Sequence, residues 1–426
     1  MSVNNIKVQN KKLLIILILL VIIFGILASV VKPNFVNQAQ DIRATWWDIQ
    51  SIDTVKYSRD VAREKALDPT FDNVIDSHVR LIAETGATHV SIGTPYAQEF
   101  VPFLTRWVNA ARKYNLKVWF RGNVPGWEGW FDYDTISREE HTALIKDFIL
   151  TNGNLFMEGD IFSSCPECEN GGPGDPRITR DVNEYRKFII DEYRVTNDAF
   201  RKIGKNVRSN FVPMNGDVAN LIMDKTTTQA LGGIVVIDHY VGDDDRLVKD
   251  IESLALKSGG QVILGEFGAP ISDLHGNLNT KEQAVWIDDA LNKLTKIDDL
   301  VGINYWTSFG GSTKLWEDNF DKRPAVDVLT KYYQPKIAIG VVVNEIGQAV
   351  NNARIYSDNK SATTNADGKF YIPLLAEDTK IQVEADNYNT LYLNASGDTP
   401  LRIILIKQHE NIFFKLRKVF VAFFTR

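Results

Sequence analysis

At 426 residues, with 44% hydrophobic and 24% charged side chains, the chain has the makeup of a globular protein and the length of more than one ordinary domain. The formal net charge is −6, and acids and bases are interspersed rather than blocked. That pattern argues against a phosphate-binding surface, so nucleic acid is not an expected partner.

Residues 1–12 form a basic segment carrying Lys7, Lys11 and Lys12, and residues 13–31 are apolar throughout apart from Gly25 and Ser29. A run of that length is about enough to cross a hydrocarbon core. The basic flank places the N-terminus in the cytoplasm and everything after Lys32 outside. A cleaved signal peptide is the rival reading. The run exceeds the usual signal-peptide core and the residues around Ala28 make a poor cleavage site, which favours an uncleaved transmembrane signal-anchor. Residues 32–52 then read as a linker.

From 53 to 334 short apolar runs alternate with longer amphipathic ones, the pattern of repeated βα units. The expected strands are 54–57, 88–92, 116–120, 160–163, 207–212, 233–237, a seventh opening at Val262, and 300–306. Helices are expected at 71–83, 107–114, 138–150 and 181–203. Eight strands with intervening helices predict a (β/α)8 TIM barrel of the α/β class. A doubly wound sheet would call for an early glycine-rich phosphate loop, which the sequence lacks.

The only cysteines, Cys165 and Cys168, sit in Cys-Pro-Glu-Cys. Outside the cytoplasm the first expectation is a local disulfide. Zinc would need two further ligands, and no histidine pair lies nearby at metal spacing. A thioredoxin-like role fails because the motif does not open a helix in a short βαβ protein.

Residues 335–408 change texture to short alternating strands with turn residues, which predicts a small all-β sandwich. Gly340-Val341-Val342-Val343-Asn344-Glu345, Gly347-Gln348-Ala349-Val350, Ala353-Arg354-Ile355, Thr364-Asn365-Ala366-Asp367-Gly368-Lys369-Phe370-Tyr371-Ile372 and Val383-Glu384-Ala385-Asp386-Asn387-Tyr388 carry a resemblance. The segment resembles the carboxypeptidase regulatory-like, transthyretin-like family, which implies a structural or adhesive module without catalysis. Residues 409–426 are a basic aromatic tail, suited to a membrane surface or to packing back on the protein.

The most informative motif is Val262-Ile263-Leu264-Gly265-Glu266-Phe267-Gly268, an apolar strand ending in a carboxylate between glycines. In a barrel, the C-terminal ends of strands are where catalytic groups sit. A retaining glycosidase needs a second carboxyl about 5 Å from its nucleophile. Ser163-Ser164-Cys165-Pro166-Glu167-Cys168-Glu169-Asn170 offers two acids just past the fourth strand. Here the chain resembles the clan A glycoside hydrolases, whose barrels carry the acid/base Glu after strand four and the nucleophile Glu after strand seven. The resemblance implies Glu266 as nucleophile and a retaining mechanism. Pro166-Glu167 stands where the family commonly has Asn-Glu, so the general acid lies between Glu167 and Glu169. Glu167, nearer the strand, is the first choice.

Tyr240 matches the family's tyrosine that hydrogen-bonds the nucleophile; the bland alternative is a half-buried aromatic. Trp306 matches its sugar platform, while Tyr305 should point the other way. His239, Arg121, Asn123 and Asn215 are candidate binders of sugar hydroxyls, with a structural histidine as the second reading of His239. Trp127 and Trp130 read as lid or subsite residues, and Arg59-Asp60 as an exposed ion pair.

The expectation is therefore a membrane-anchored, extracytoplasmic glycosidase acting on an oligo- or polysaccharide without metal or organic cofactor. The alternative is an inactive surface carbohydrate-binding or adhesion protein that keeps the barrel, motivated by the unusual strand-four motif.

Overall fold

The computed structural model describes residues 45–408 apart from 398. The expected transmembrane run at 13–31, the basic segment before it, most of the linker and the tail at 409–426 lie outside the described residues. Among the described residues no helix is long and apolar enough to cross a membrane.

Eight strands build the first sheet: β1 (Ile49–Asp53), β2 (His89–Ile92), β3 (Lys117–Phe120), β4 (Ile161–Phe162), β5 (Pro213–Asn215), β6 (Ile234–Asp238), β7 (Gln261–Phe267) and β8 (Leu300–Tyr305). They follow the order β4-β3-β2-β1-β8-β7-β6-β5 and pair in parallel. Between the two ends of that order, Arg208 N donates to Asp160 O at 3.0 Å and Phe162 N donates to Arg208 O at 2.9 Å. Glu167 N adds a bond to Pro213 O at 2.8 Å, and the sheet closes on itself as a TIM barrel.

Helices between the strands cover the barrel, including Asp72–Glu84, Val101–Lys113, Arg138–Thr151, Val182–Lys202, Asp244–Ser258 and Thr280–Leu294. Their starts follow the sequence. Ser137 with Glu140 and Asn279 with Glu282 form capping boxes at the heads of two of them. Inside the barrel Ile49, Trp119, Ile161, Phe211, Val236 and Ile263 form a cluster of their own. A larger cluster holds the outer strand faces against the helices, with Val262 and Leu264 on either side of Ile263.

Two strand expectations need correction. The stretch 54–57 is not the first strand: Val55–Ser58 is a helical turn, and Asp53 Oδ1 accepts from Val55 N at 2.6 Å at its start. The first strand, Ile49–Asp53, is disguised by Gln50 and Ser51, which are buried polar residues. Gln50 is satisfied there, accepting from Trp46 N at 2.9 Å and donating to Tyr333 O at 2.8 Å. The fifth strand is Pro213–Asn215 rather than 207–212, a stretch that contributes the Arg208 bridge and turns Phe211 into the barrel.

Beyond Pro324–Tyr333 the chain forms a two-sheet β-sandwich. One sheet orders β11 (Lys360–Thr363), β10 (Arg354–Ser357), β13 (Thr379–Glu384) and β14 (Leu391–Ala395). The other orders β12 (Lys369–Leu374), β9 (Lys336–Asn344) and β15 (Leu401–Leu405). Alternate residues point inward, so Phe370, Ile372 and Leu374 from β12 meet Ile381 and Val383 from β13 in a separate core. Lys360 lies 5.1 Å over the Trp46 ring at the foot of the barrel domain.

Candidate active site

Glu266 owes its direction to an irregularity in β7. Leu264 pairs with Ile303 and Phe267 with Tyr305, so Gly265 and Glu266 together oppose Asn304. The extra residue is a bulge, the usual device for re-aiming a side chain next to a site. Phe267 resumes packing in the outer layer, leaving Glu266 half-buried at the barrel mouth. Position 265 must be glycine here, because a Cβ would lie 2.4 Å from Asp238 Oδ1.

Two donors fix the carboxylate. Tyr240 donates its hydroxyl to Glu266 Oε2 at 2.8 Å, the contact the sequence resemblance implied. Arg121 Nη2 donates to Glu266 Oε1 at 3.1 Å and to Asp238 Oδ2 at 2.8 Å, while its Nη1 donates to Gly265 O. Burial pushes the Glu266 carboxyl up to about 7, against the pull of Arg121 and Tyr240 and with the help of Glu167 and Asp53. Burial likewise drives Asp238 well above the ordinary carboxylate range.

Glu167 comes to the same place from the loop after β4. The Cys165–Cys168 disulfide, with Cα atoms 5.2 Å apart, closes a tight turn around it. Glu167 itself is left-handed, with φ 48°, a conformation uncommon for a residue with a side chain. That turn delivers its carboxylate to Glu266: one oxygen from each of Glu167, Asp238 and Glu266 lies within 4.8 Å of the others. Three converging carboxylates are also a cation-binding set. Arg121 already supplies a positive charge between Asp238 and Glu266.

Glu169 is engaged elsewhere. It is buried, accepting from Asn215 N at 2.6 Å and from the Tyr185 hydroxyl at 3.2 Å, and so ties the strand-four loop to β5 and to helix Val182–Lys202. Glu169→Ala should cost about 1–3 kcal/mol in urea unfolding by stranding those donors.

Other sequence candidates turn elsewhere. His239 Nε2 pairs with Asp250 Oδ2 at 2.9 Å, on the helix behind β6, because its neighbour Tyr240 takes the inward direction. Asn215 is the N-cap of Gly216–Ile222 and accepts from Asp217 N at 3.1 Å. Asn123 is fully buried, accepting from His141 Nε2 at 2.8 Å and from Val124 N at 2.8 Å. Arg121 is buried between the carboxylates of Asp238 and Glu266. Removing it with Arg121→Met leaves Asp238 and Glu266 without their cation, an expected loss of about 3–5 kcal/mol measurable by urea unfolding.

Trp306 is half-buried beside Tyr240, ring centroids 6.2 Å apart and nearly perpendicular, with the Lys56 ammonium 5.7 Å from the ring. Tyr305 points into the outer layer, where its hydroxyl donates to Thr313 O at 2.8 Å. Trp127 packs on Phe188 and His141 as part of the scaffold.

The cleft above the pair is lined by Asp53, Arg59, Glu128, Trp130, Glu167 and Glu266, among others. Sequence reasoning missed Asp53, Asp238 and Glu128. Asp53 and Asp238 end their strands, so strand-end position was the available signal. Asp53 accepts from Ser91 Oγ at 2.7 Å and from Asn304 Nδ2 at 3.3 Å.

No family model matches the chain, and none of the curated proteins does. Among solved structures it is similar to GH5_18 from Bifidobacterium longum subsp. longum, at 17% identity over 71% of this chain and 85% of that one, with a TM-score of 0.48. It is also similar to a variant of GH5_18 from the same organism in complex with Manb1-4GlcNAc, at 15% identity over 71% of this chain and 84% of that one, TM-score 0.48. A third similar structure is Bacteroides uniformis beta-glucuronidase 2, at 11% identity over 78% of this chain and 44% of that one, TM-score 0.44. The chain therefore spans less than half the length of that beta-glucuronidase.

Proposed function

We propose that the chain is a membrane-anchored, extracytoplasmic retaining glycoside hydrolase that cleaves a β-linked carbohydrate. The observation that carries this reading is the approach of the Glu167 and Glu266 carboxylates to within 4.8 Å at the C-terminal end of the barrel. Retaining enzymes hold their two carboxyl groups about 5–5.5 Å apart, whereas inverting ones leave room for a water.

In this reading Glu266 attacks the anomeric carbon as the glycosidic C–O bond breaks, and Glu167 gives its proton to the departing oxygen. A water then enters, loses its proton to Glu167 and displaces Glu266, so both residues return to their starting states. Tyr240 and Arg121 hold the attacking carboxylate in line, and Trp306 offers an apolar face to the sugar ring. The anchor rests on the apolar run at 13–31, and the sandwich is read as a carboxypeptidase regulatory-like module without catalysis.

A panel of aryl β-glycosides tests the reading. Hydrolysis by the wild type that disappears in Glu266→Gln supports it; glycan binding with turnover by neither protein supports an adhesin instead.

A further inference from the structure

We propose that the Cys165–Cys168 disulfide is a switch on the catalytic acid: the bond positions Glu167 against Glu266, and its reduction disables general acid catalysis while the nucleophile stays in place. The inference rests on the glycosidase reading and gives a role to two side chains that double displacement by Glu167 and Glu266 does not use.

Glu167 lies inside the short loop that the bond closes, Cys165-Pro166-Glu167-Cys168. The bond holds the two Cα atoms 5.2 Å apart, and within that span Glu167 takes a φ of 48°, which its Cβ disfavours. Its N donates to Pro213 O at 2.8 Å, and its carboxylate and carbonyl accept from Asn170 at 3.3 and 2.9 Å. Asn170 is itself exposed and offers a weak hold. The residues on either side are fixed independently of the bond. Before the loop, Ser163 Oγ accepts from Trp119 Nε1 at 3.0 Å. After it, Trp127 Nε1 donates to Cys168 O at 3.0 Å, and Glu169 is tied to Asn215 and Tyr185. Loss of the bond therefore frees the turn and not the barrel.

Reduction is a two-electron step. As the loop opens, the thiolate of an external dithiol attacks Cys168 Sγ, and Cys165 leaves as a thiolate. The departing Cys165 Sγ already accepts from Asn123 Nδ2 at 3.8 Å. The second thiol of the reagent then displaces Cys168. Two electrons and two protons have passed to the pair, and the reagent departs as a disulfide. Cys165 and Cys168 are each 1% exposed, so two thiols that need van der Waals separation must push into packed surroundings. The half-buried turn at Glu167 is the part that yields. Displacing a catalytic group by about 1 Å costs on the order of 10²-fold in rate. Glu266, held by Tyr240 and Arg121 from the ends of β6 and β3, keeps its place.

The test compares the full chain oxidised, reduced with dithiothreitol under native conditions, and reoxidised, with thiols counted by alkylation and mass measurement. Reduction should lower kcat on phenyl β-glycosides about 10²-fold, and reoxidation should restore it. Labelling of Glu266 by a dinitrophenyl 2-deoxy-2-fluoro glycoside, whose leaving group needs no proton, should stay within a few-fold of the oxidised rate. Cys165→Ser/Cys168→Ser should match the reduced chain and respond to neither treatment. An equal loss of both reactions would overturn the inference, as the mark of general disruption. So would full phenyl activity in the reduced chain, or a bond that resists native reduction. If the oxidised chain hydrolyses none of the glycosides, the glycosidase reading fails. Hydrogen exchange then decides this inference separately: reduction should raise exchange in the peptide spanning 163–172 and leave that spanning 261–268 unchanged. Exchange that rises in both, or in neither, removes it.

Discussion

Glu266→Gln should lower kcat on aryl β-glycosides by at least about 10⁴-fold, the scale on which a covalent nucleophile's loss is felt. Glycan affinity, read by calorimetry, should survive. The amide oxygen still accepts from Arg121, so the fold around the clamp persists, but the neutral group has no anionic lone pair with which to displace the aglycone. In the proposed mechanism the same carboxyl sets the acid limb of activity. Glu266 works only when ionised, and its midpoint is pushed up to about 7 by burial. kcat/KM should therefore fall about tenfold per unit as the pH drops below that midpoint. Because Glu266 and Asp238 interact, the midpoints seen in a pH profile belong to the pair.

Glu167→Gln should produce a different signature. General acid assistance contributes about 10²–10⁴-fold, and it matters in proportion to how badly the leaving group needs a proton. Phenyl and alkyl glycosides should lose that factor, whereas dinitrophenyl glycosides should form the covalent intermediate at near wild-type rate and then stall, since water lacks its base. A burst followed by slow turnover is the expected trace. The conformation of Glu167 makes the site demanding: the left-handed backbone, the bond from its N to Pro213 O and the Cys165–Cys168 link together aim one side chain at Glu266.

Much of this was legible in the sequence where a local pattern carried it. The strands at His89–Ile92, Ile234–Asp238 and Leu300–Tyr305 announce themselves as apolar runs between amphipathic helices. The first strand does not, because Gln50 and Ser51 are polar, and what makes Gln50 tolerable there is a bond to Tyr333 O from the far end of the barrel sequence. The contact between Tyr240 and Glu266 was readable from strand ends and a family likeness. Arg121 was readable as a site residue but not in its role, since no local signal says that Asp238 and Glu266 converge on one guanidinium from two other strands. Glu169 and Glu167 are two residues apart, and the left-handed turn between strand four and the cleft decides which of them faces Glu266. His239 failed for the converse reason: alternation along a strand end gives the inward direction to one of two neighbours, and Tyr240 takes it.

The most direct measurement of a glutamate nucleophile is mass mapping of the adduct left by activated 2-deoxy-2-fluoro β-glycosides on the full chain. The expected result is one glycosyl group on the peptide containing Glu266, absent in Glu266→Gln and slow to turn over. A label on any other residue, or wild-type hydrolysis whose first-formed product has the inverted anomeric configuration, would contradict it.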